Sequence, residues 1–122
     1  MIILTFTEKF DYLKTKYAAK ADFSKIDKDI AAQFTLTDSD CGGIFYIAHI
    51  DGKTSIEPYD YHDNTVAVRT SSVTLERILS GKTDPVKAFL DGKLDVEGEP
   101  EHAEALIAAI RTAKKKPSRP ES

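Results

Sequence analysis

Apolar residues recur at helical spacing in the first part of the chain, with lysines mostly on the other side. Thr5 and Glu8 have the spacing of a capping box, which marks a helix start. The pattern therefore predicts a helix from about Phe6 to Lys20, and the polar residues after it hold one short helical turn at most. The apolar positions of this helix are Phe6, Phe10, Leu13 and Tyr17.

The period changes to two at Ile30, where apolar and polar residues begin to alternate. Asp51-Gly52 is a strong signal for a two-residue hairpin. A loop of tyrosines and acids, residues 59–64, separates the third strand from the fourth. The predicted strands are residues 30–37, 44–50, 53–58 and 65–70.

The second half of the chain is rich in helix signals, which are caps, an N-terminal proline and terminal glycines. Strands in a block with helices gathered at both ends predict an α+β fold, in which helices cover one face of a five-stranded sheet. The remaining predicted elements are a helix from Ser71 or Ser72 to Gly81, a short helix from Asp84-Pro85 to Gly92, a strand at 94–97 and a last helix from Glu99-Pro100.

The length of 122 residues fits one domain, which we place at residues 1–113. Residues 114–122 form the one strongly basic segment, and we expect a flexible tail there. An anionic membrane attracts such a segment by about 1 kcal/mol per basic side chain, so weak and reversible contact is one interpretation. A solubilising end is the other. The candidate membrane-contact residues are Lys114, Lys115, Lys116 and Arg119.

Composition excludes several classes of function. A net charge of −3 does not favour binding to nucleic acid. The single cysteine excludes an internal disulfide and the zinc sites that need several cysteines. The N-terminal segment has no basic leader before an apolar stretch, so we expect a cytoplasmic protein. Separately, we expect no cofactor.

No residue set forms a convincing nucleophile–base pair or metal site. The loop around Asp60 and His62 gathers carboxylates and a histidine, but at no recognised ligand spacing, and its tyrosines could instead cover an apolar opening. His49 lies within a predicted strand, and acidic neighbours disfavour a thiolate at Cys41. A small enzyme using Asp60, His62 or His49 is therefore the least favoured interpretation.

Residues 78–98, ILSGKTDPVKAFLDGKLDVEG, resemble the signature of the sterol carrier protein-2 family of small lipid-binding domains. The resemblance extends more loosely over residues 6–110. The matching pieces are Gly81-Lys82, Asp84-Pro85, Lys87-Ala88-Phe89, Gly92-Lys93-Leu94 and Gly98.

The resemblance implies an apolar tunnel between the sheet and the C-terminal helices, and non-catalytic binding or transfer of a lipid. The ligand could be a fatty acid, acyl-CoA, phospholipid, isoprenoid or sterol. Phe89 is expected to project from a short helix toward the sheet. The expected ligand-binding residues are Phe34, Leu36, Val68, Leu75, Ile78, Leu79, Phe89, Leu94, Val96, Leu106, Ile107 and Ile110.

The resemblance leaves a second function open, because domains of this kind also occur as parts of larger enzymes. In that alternative the chain is an interaction, dimerisation or accessory module, and its apolar groove meets a partner protein. The expected state is a monomer or a weak dimer.

Overall fold

The computed structural model describes residues 5–115 and confirms the predicted α+β arrangement. A 3₁₀ turn, Ala18–Lys20, follows the first helix. The elements are α1 (Phe6–Lys16), β1 (Ile30–Leu36), β2 (Gly43–Ile50), β3 (Lys53–Glu57), β4 (Val66–Thr70), α2 (Ser72–Leu79), α3 (Pro85–Leu90), β5 (Leu94–Gly98) and α4 (Pro100–Lys115).

The five strands form one sheet in the order β3-β2-β1-β4-β5. β1 lies at the centre, antiparallel to β2 and parallel to β4. Phe34 of β1 is in register with Phe45 on one side and Val68 on the other. These three buried side chains form a continuous apolar row on one face of the sheet.

The helices pack on the face that carries this row. The rings of Phe34 and Phe45 stack with centroids 5.1 Å apart, and Phe10 of α1 lies 5.5 Å from Phe45. α2 and α4 cover the rest of the face with the fully buried side chains of Leu75 and Leu106. The core therefore lies between the sheet and the helical layer.

The end of the first helix differs from the sequence prediction. α1 ends at Lys16 instead of Lys20, because the backbone tightens into the 3₁₀ turn after Tyr17. The tighter turn buries both Tyr17 and Ala18. α4 continues to Lys115, and the domain boundary at residue 113 stays a prediction.

A polar cluster around Glu76 of α2 joins this helix to α1. The hydroxyls of Tyr12 and Tyr17 donate hydrogen bonds to the carboxylate of Glu76 over 2.7 and 3.2 Å. The ammonium groups of Lys9 and Lys16 lie 3.7 and 3.9 Å from its oxygens. Burial by itself raises the pKa of Glu76, but the hydrogen bonds and the lysine charges outweigh it and lower the pKa below its usual 4.5.

This cluster predicts acid sensitivity of the fold. Because the pKa of Glu76 is lower in the folded state, its contribution to stability is present above pH 4.5 and is lost as the pH falls through the folded-state value. We expect Glu76→Gln to lower the free energy of unfolding at pH 7 by about 1–2 kcal/mol. Urea denaturation at a series of pH values should also show a smaller loss of stability on acidification in this variant. Glu97→Gln, at an exposed position of β5, is the control. An equal effect of both substitutions would contradict the role of the cluster.

Candidate functional site

Two apolar spaces lie along the helical layer. The first is inside the core and has a free volume of about 20 Å³, which is room for one water-sized molecule. Its lining comes mainly from α1, β1, β2, α2 and α4. The lining residues are Phe10, Leu13, Lys14, Ala18, Phe34, Phe45, Ile47, Ile56, Leu75, Leu79, Leu106, Ile107 and Ile110. We call this space the inner cavity.

The second space is an open groove of about 280 Å³ between α3, the β4–β5 edge of the sheet and the first half of α4. Glu104 is the one ionisable side chain in its lining. The lining residues are Val68, Pro85, Val86, Phe89, Leu94, Val96, Pro100, Ala103, Glu104 and Ile107. We call this space the outer groove.

Ile107 of α4 lines both spaces. Ala103 lies one turn before it and faces the outer groove, whereas Leu106 and Ile110 face the inner cavity. The side chain of Ile107 is buried, with 5% of its surface exposed. A rotamer change of this one side chain would therefore alter the separation between the two spaces.

The shortness of α3 leaves the outer groove open. Asp84 caps the helix by accepting a hydrogen bond from the backbone of Val86, and Pro85 occupies its first turn. The chain leaves the helix through Gly92 at a positive φ of 75°. With six residues, α3 buries only Ala88 and cannot cover the sheet edge beneath it.

Ten of the twelve predicted ligand-binding residues line one or both of the two spaces. Leu36 and Ile78 line neither of them and are 2% and 0% exposed. Phe89 lines the outer groove with half of its surface exposed, so it lies at the sheet edge and does not enter the core. Ligand contact stays a prediction for the whole set. The inner cavity includes Phe34, Leu75, Leu79, Leu106, Ile107 and Ile110, and the outer groove includes Val68, Phe89, Leu94, Val96 and Ile107.

Sequence reasoning missed the contributions of α1 and of the residues that flank α3 and begin α4. The apolar face of α1 was visible as a helical repeat, and this repeat places Phe10 and Leu13 at the inner cavity. In the sequence, Pro85 and Pro100 indicate helix starts, but both residues also line the outer groove. The predicted tunnel stays a prediction, because the described residues show a small cavity and a groove that share Ile107.

The candidate catalytic residues are not brought together. Asp60 and His62 are exposed in the loop after β3. His49 is buried, and its Nδ1 lies 2.9 Å from the hydroxyl oxygen of Thr54. Burial raises the pKa of the Cys41 thiol, and the nearby aspartates raise it further.

Asp38, Asp40 and Cys41 form the group of potential metal ligands found among residues 5–115. Asp38 accepts hydrogen bonds from the backbone and the hydroxyl of Ser72, at 2.7 and 3.1 Å. Asp40 accepts from the backbone of Cys41 at 2.7 Å. The bonds of Asp38 hold the β1–β2 turn against the start of α2, whereas the bond of Asp40 stays within the turn. Both carboxylates therefore have structural partners.

The tyrosine-rich loop packs on the sheet face opposite the helices. The backbone N–H of Tyr61 donates to the side chain of Gln33, and its ring lies 4.9 Å from that of Tyr46. Both partners alternate with the buried row of β1 and β2, so they belong to the opposite face. The suggestion that both loop tyrosines cover an apolar opening is therefore wrong for Tyr61.

The basic residues at the C-terminus lie largely beyond the described part of the chain. The side chains of Lys114 and Lys115, and all of Lys116 and Arg119, fall outside it. Within the described part, no helix has the length and apolar character needed to cross a membrane.

The sequence model of the SCP-2 sterol transfer family matches residues 7–111. The chain belongs to this family. The match covers the two apolar spaces and confirms the resemblance seen in the sequence. No curated protein sequence matches the chain.

Solved structures share the family fold at low identity. The stereoselective inverting sec-alkylsulfatase Pisa1 from Pseudomonas sp. superimposes with a TM-score of 0.70 and 19% identity over 88% of this chain, which spans 16% of the sulfatase. Apo sterol carrier protein 2 from Yarrowia lipolytica superimposes with a TM-score of 0.62 and 19% identity. The match covers 91% of this chain and 90% of the Yarrowia protein. UbiJ-SCP2, a ubiquinone synthesis protein, superimposes with a TM-score of 0.65 and 12% identity. The match covers 88% of this chain and 89% of UbiJ-SCP2.

The environment of Cys41 predicts an inert thiol. Its side chain is 5% exposed, and its raised pKa reduces the thiolate fraction at neutral pH. We expect the native protein to react with a disulfide-exchange reagent at least roughly tenfold more slowly than the urea-unfolded chain. The absorbance of the released thiol measures both rates. Equal rates in the two states would contradict the burial of Cys41.

Proposed function

We propose that this chain is a non-catalytic lipid carrier that binds an alkyl or isoprenoid chain in the outer groove. The observation that supports this most directly is the contact of the groove with the inner cavity at Ile107. A bound chain would lie along the sheet edge and pass Ile107 into the core. In this proposal the residues of the two spaces recognise the ligand by shape and by removal of water.

The size of the two spaces supports entry past Ile107. The outer groove holds about 280 Å³, slightly under the lower limit of roughly 300 Å³ that is usual for small-molecule pockets. The groove by itself would therefore hold only part of a long chain. Burial contributes about 0.8 kcal/mol per CH₂ group, so a chain that opened the inner cavity would bind more tightly. Ordering of the chain would reduce this gain to micromolar or submicromolar affinity.

The charge in the groove bears on the class of ligand. Glu104 is exposed at its edge and is the one ionisable residue of the lining. A carboxylate or phosphate held next to Glu104 would be repelled. We therefore favour a ligand whose polar end is uncharged or stays in solvent, and extraction of the purified protein followed by mass spectrometry would identify it.

The two alternatives have weaker support. A partner helix has a diameter of about 10–12 Å with its side chains, and a groove of about 280 Å³ cannot enclose one. An enzyme would need reacting groups at the groove, whose lining has Glu104 as its one ionisable residue. We also propose that the protein is cytoplasmic. We propose weak contact with an anionic membrane through the basic residues Lys114, Lys115, Lys116 and Arg119.

A charge in the outer groove should weaken lipid binding. Phe89 is half exposed, so Phe89→Asp should keep the fold while placing a carboxylate among apolar groove residues. We expect its affinity for a fluorescent fatty acid and a fluorescent fatty alcohol to fall by about tenfold or more. Val73→Asp is the control, because Val73 is 64% exposed and does not line the groove. Circular dichroism verifies both folds. Unchanged affinity in folded Phe89→Asp would rule out the groove as the binding site.

Truncation at Ile107 should open the path inward. Ile107→Ala joins the two spaces, so we expect faster uptake of the same probes despite a loss of stability of about 2–5 kcal/mol. Ile78→Ala is the matched control, because this buried residue lines neither space. Stopped-flow fluorescence measures uptake, and urea denaturation measures stability. Similar uptake rates in the two variants would refute the role of Ile107.

A further inference from the structure

The outward side of α3 is unusually apolar for an exposed helix. Val86 and Phe89 are each 50% exposed, and Leu90 is 75% exposed. We call these three residues the α3 patch. Val86 and Phe89 also line the outer groove, whereas Leu90 does not. The patch therefore continues the apolar surface of the groove onto the outside of the molecule, and such surfaces mark interaction sites.

The size of the α3 patch argues against a stable protein interface. The three side chains are exposed by half to three quarters, and together they offer on the order of 300 Å² of apolar surface to a partner. A specific protein interface needs about 800 Å² from each partner. A lipid bilayer sets no such minimum, because a few apolar side chains can enter its interfacial region individually.

The charges around the patch are slightly acidic. Within residues 84–93, Asp84 and Asp91 are offset by Lys87 and Lys93. Phe89 also lines a depression with Arg69, Asp95 and Glu97, and Glu104 lies at the edge of the outer groove. Lys87 and Asp91 also pair with each other, with 3.7 Å between nitrogen and oxygen. These charges give no attraction to an anionic surface, so attraction to an uncharged or zwitterionic surface depends on apolar contact and is insensitive to salt.

From these observations we infer that α3 docks on a zwitterionic lipid bilayer by inserting the α3 patch into the interfacial region. Docking brings the mouth of the outer groove to the bilayer, because Val86 and Phe89 belong to both surfaces. The docking itself stands on the exposed patch, and its purpose, direct exchange of lipid with the bilayer, rests on the proposed carrier function.

A single tryptophan provides a direct test, because the chain has none. Leu90→Trp places an indole in the α3 patch. Val73→Trp places one at a similarly exposed position of α2, beside a polar depression lined by Lys16, Glu76 and Arg77. With phosphatidylcholine vesicles we expect the emission of Leu90→Trp to move to shorter wavelength and that of Val73→Trp to stay unchanged. The shift should persist at high salt.

A second measurement separates docking from lipid binding. Leu90→Asp removes the most exposed apolar side chain of the patch without altering the groove lining. We expect uptake of a fluorescent fatty alcohol from dilute aqueous solution to stay at the wild-type rate. Transfer of the same probe from phosphatidylcholine vesicles should slow by about tenfold, the cost of losing one buried leucine. Val73→Asp should change neither rate.

Four results would overturn the inference. An unchanged emission of Leu90→Trp with vesicles, or an equal shift in Val73→Trp, would show that the patch does not enter the bilayer. A shift without vesicles that grows with protein concentration would assign the patch to a second copy of the chain. A shift confined to anionic vesicles and lost in salt would assign docking to basic residues. If the wild-type protein takes up no lipid while the emission of Leu90→Trp still shifts with vesicles, the proposed carrier function is wrong and the docking of α3 is supported.

Discussion

The stack of Phe34 on Phe45 is the contact on which the rest of the molecule depends. It lies at the centre of the sheet face that the helices cover, and Phe10 of α1 packs against it. α2 and α4 complete the covering, so the central part of the interior is filled by side chains. Close packing leaves an inner cavity of about 20 Å³. Space for a ligand in this structure is therefore found at the side of the helical layer.

The outer groove exists because α3 is too short to cover the β4–β5 edge. One buried residue, Ala88, is the contribution of this helix to the core. The remaining apolar side chains of α3 line the groove or face outward. The short length of α3 therefore explains both the groove and the exposed α3 patch. Ile107 connects this edge to the filled interior, since it lines the groove and the inner cavity. A carrier built this way would admit a chain by moving one side chain.

Much of the fold was predictable because its signals are local. The change from helical spacing to alternation at Ile30 separated helix from strand, and Asp84-Pro85 marked the start of α3. The candidate site was harder to predict. Leu36 and Ile78 have the same apolar character as Leu79 and Ile107, yet they line neither space. Periodicity shows which face of an element is buried, but it does not show whether a side chain packs in solid core or beside free volume.

The sequence by itself determined the order of elements, the buried face of each and the family resemblance of residues 78–98, because these depend on residues close together in the chain. Tertiary structure decided the parallel pairing of β1 with β4, the early end of α1 and the place of Ile107 between two spaces. Each of these depends on how elements distant in sequence share volume. The pKa of Glu76 is another example, since its four partners, three on α1 and Tyr17 just after it, meet Glu76 only after the helices pack.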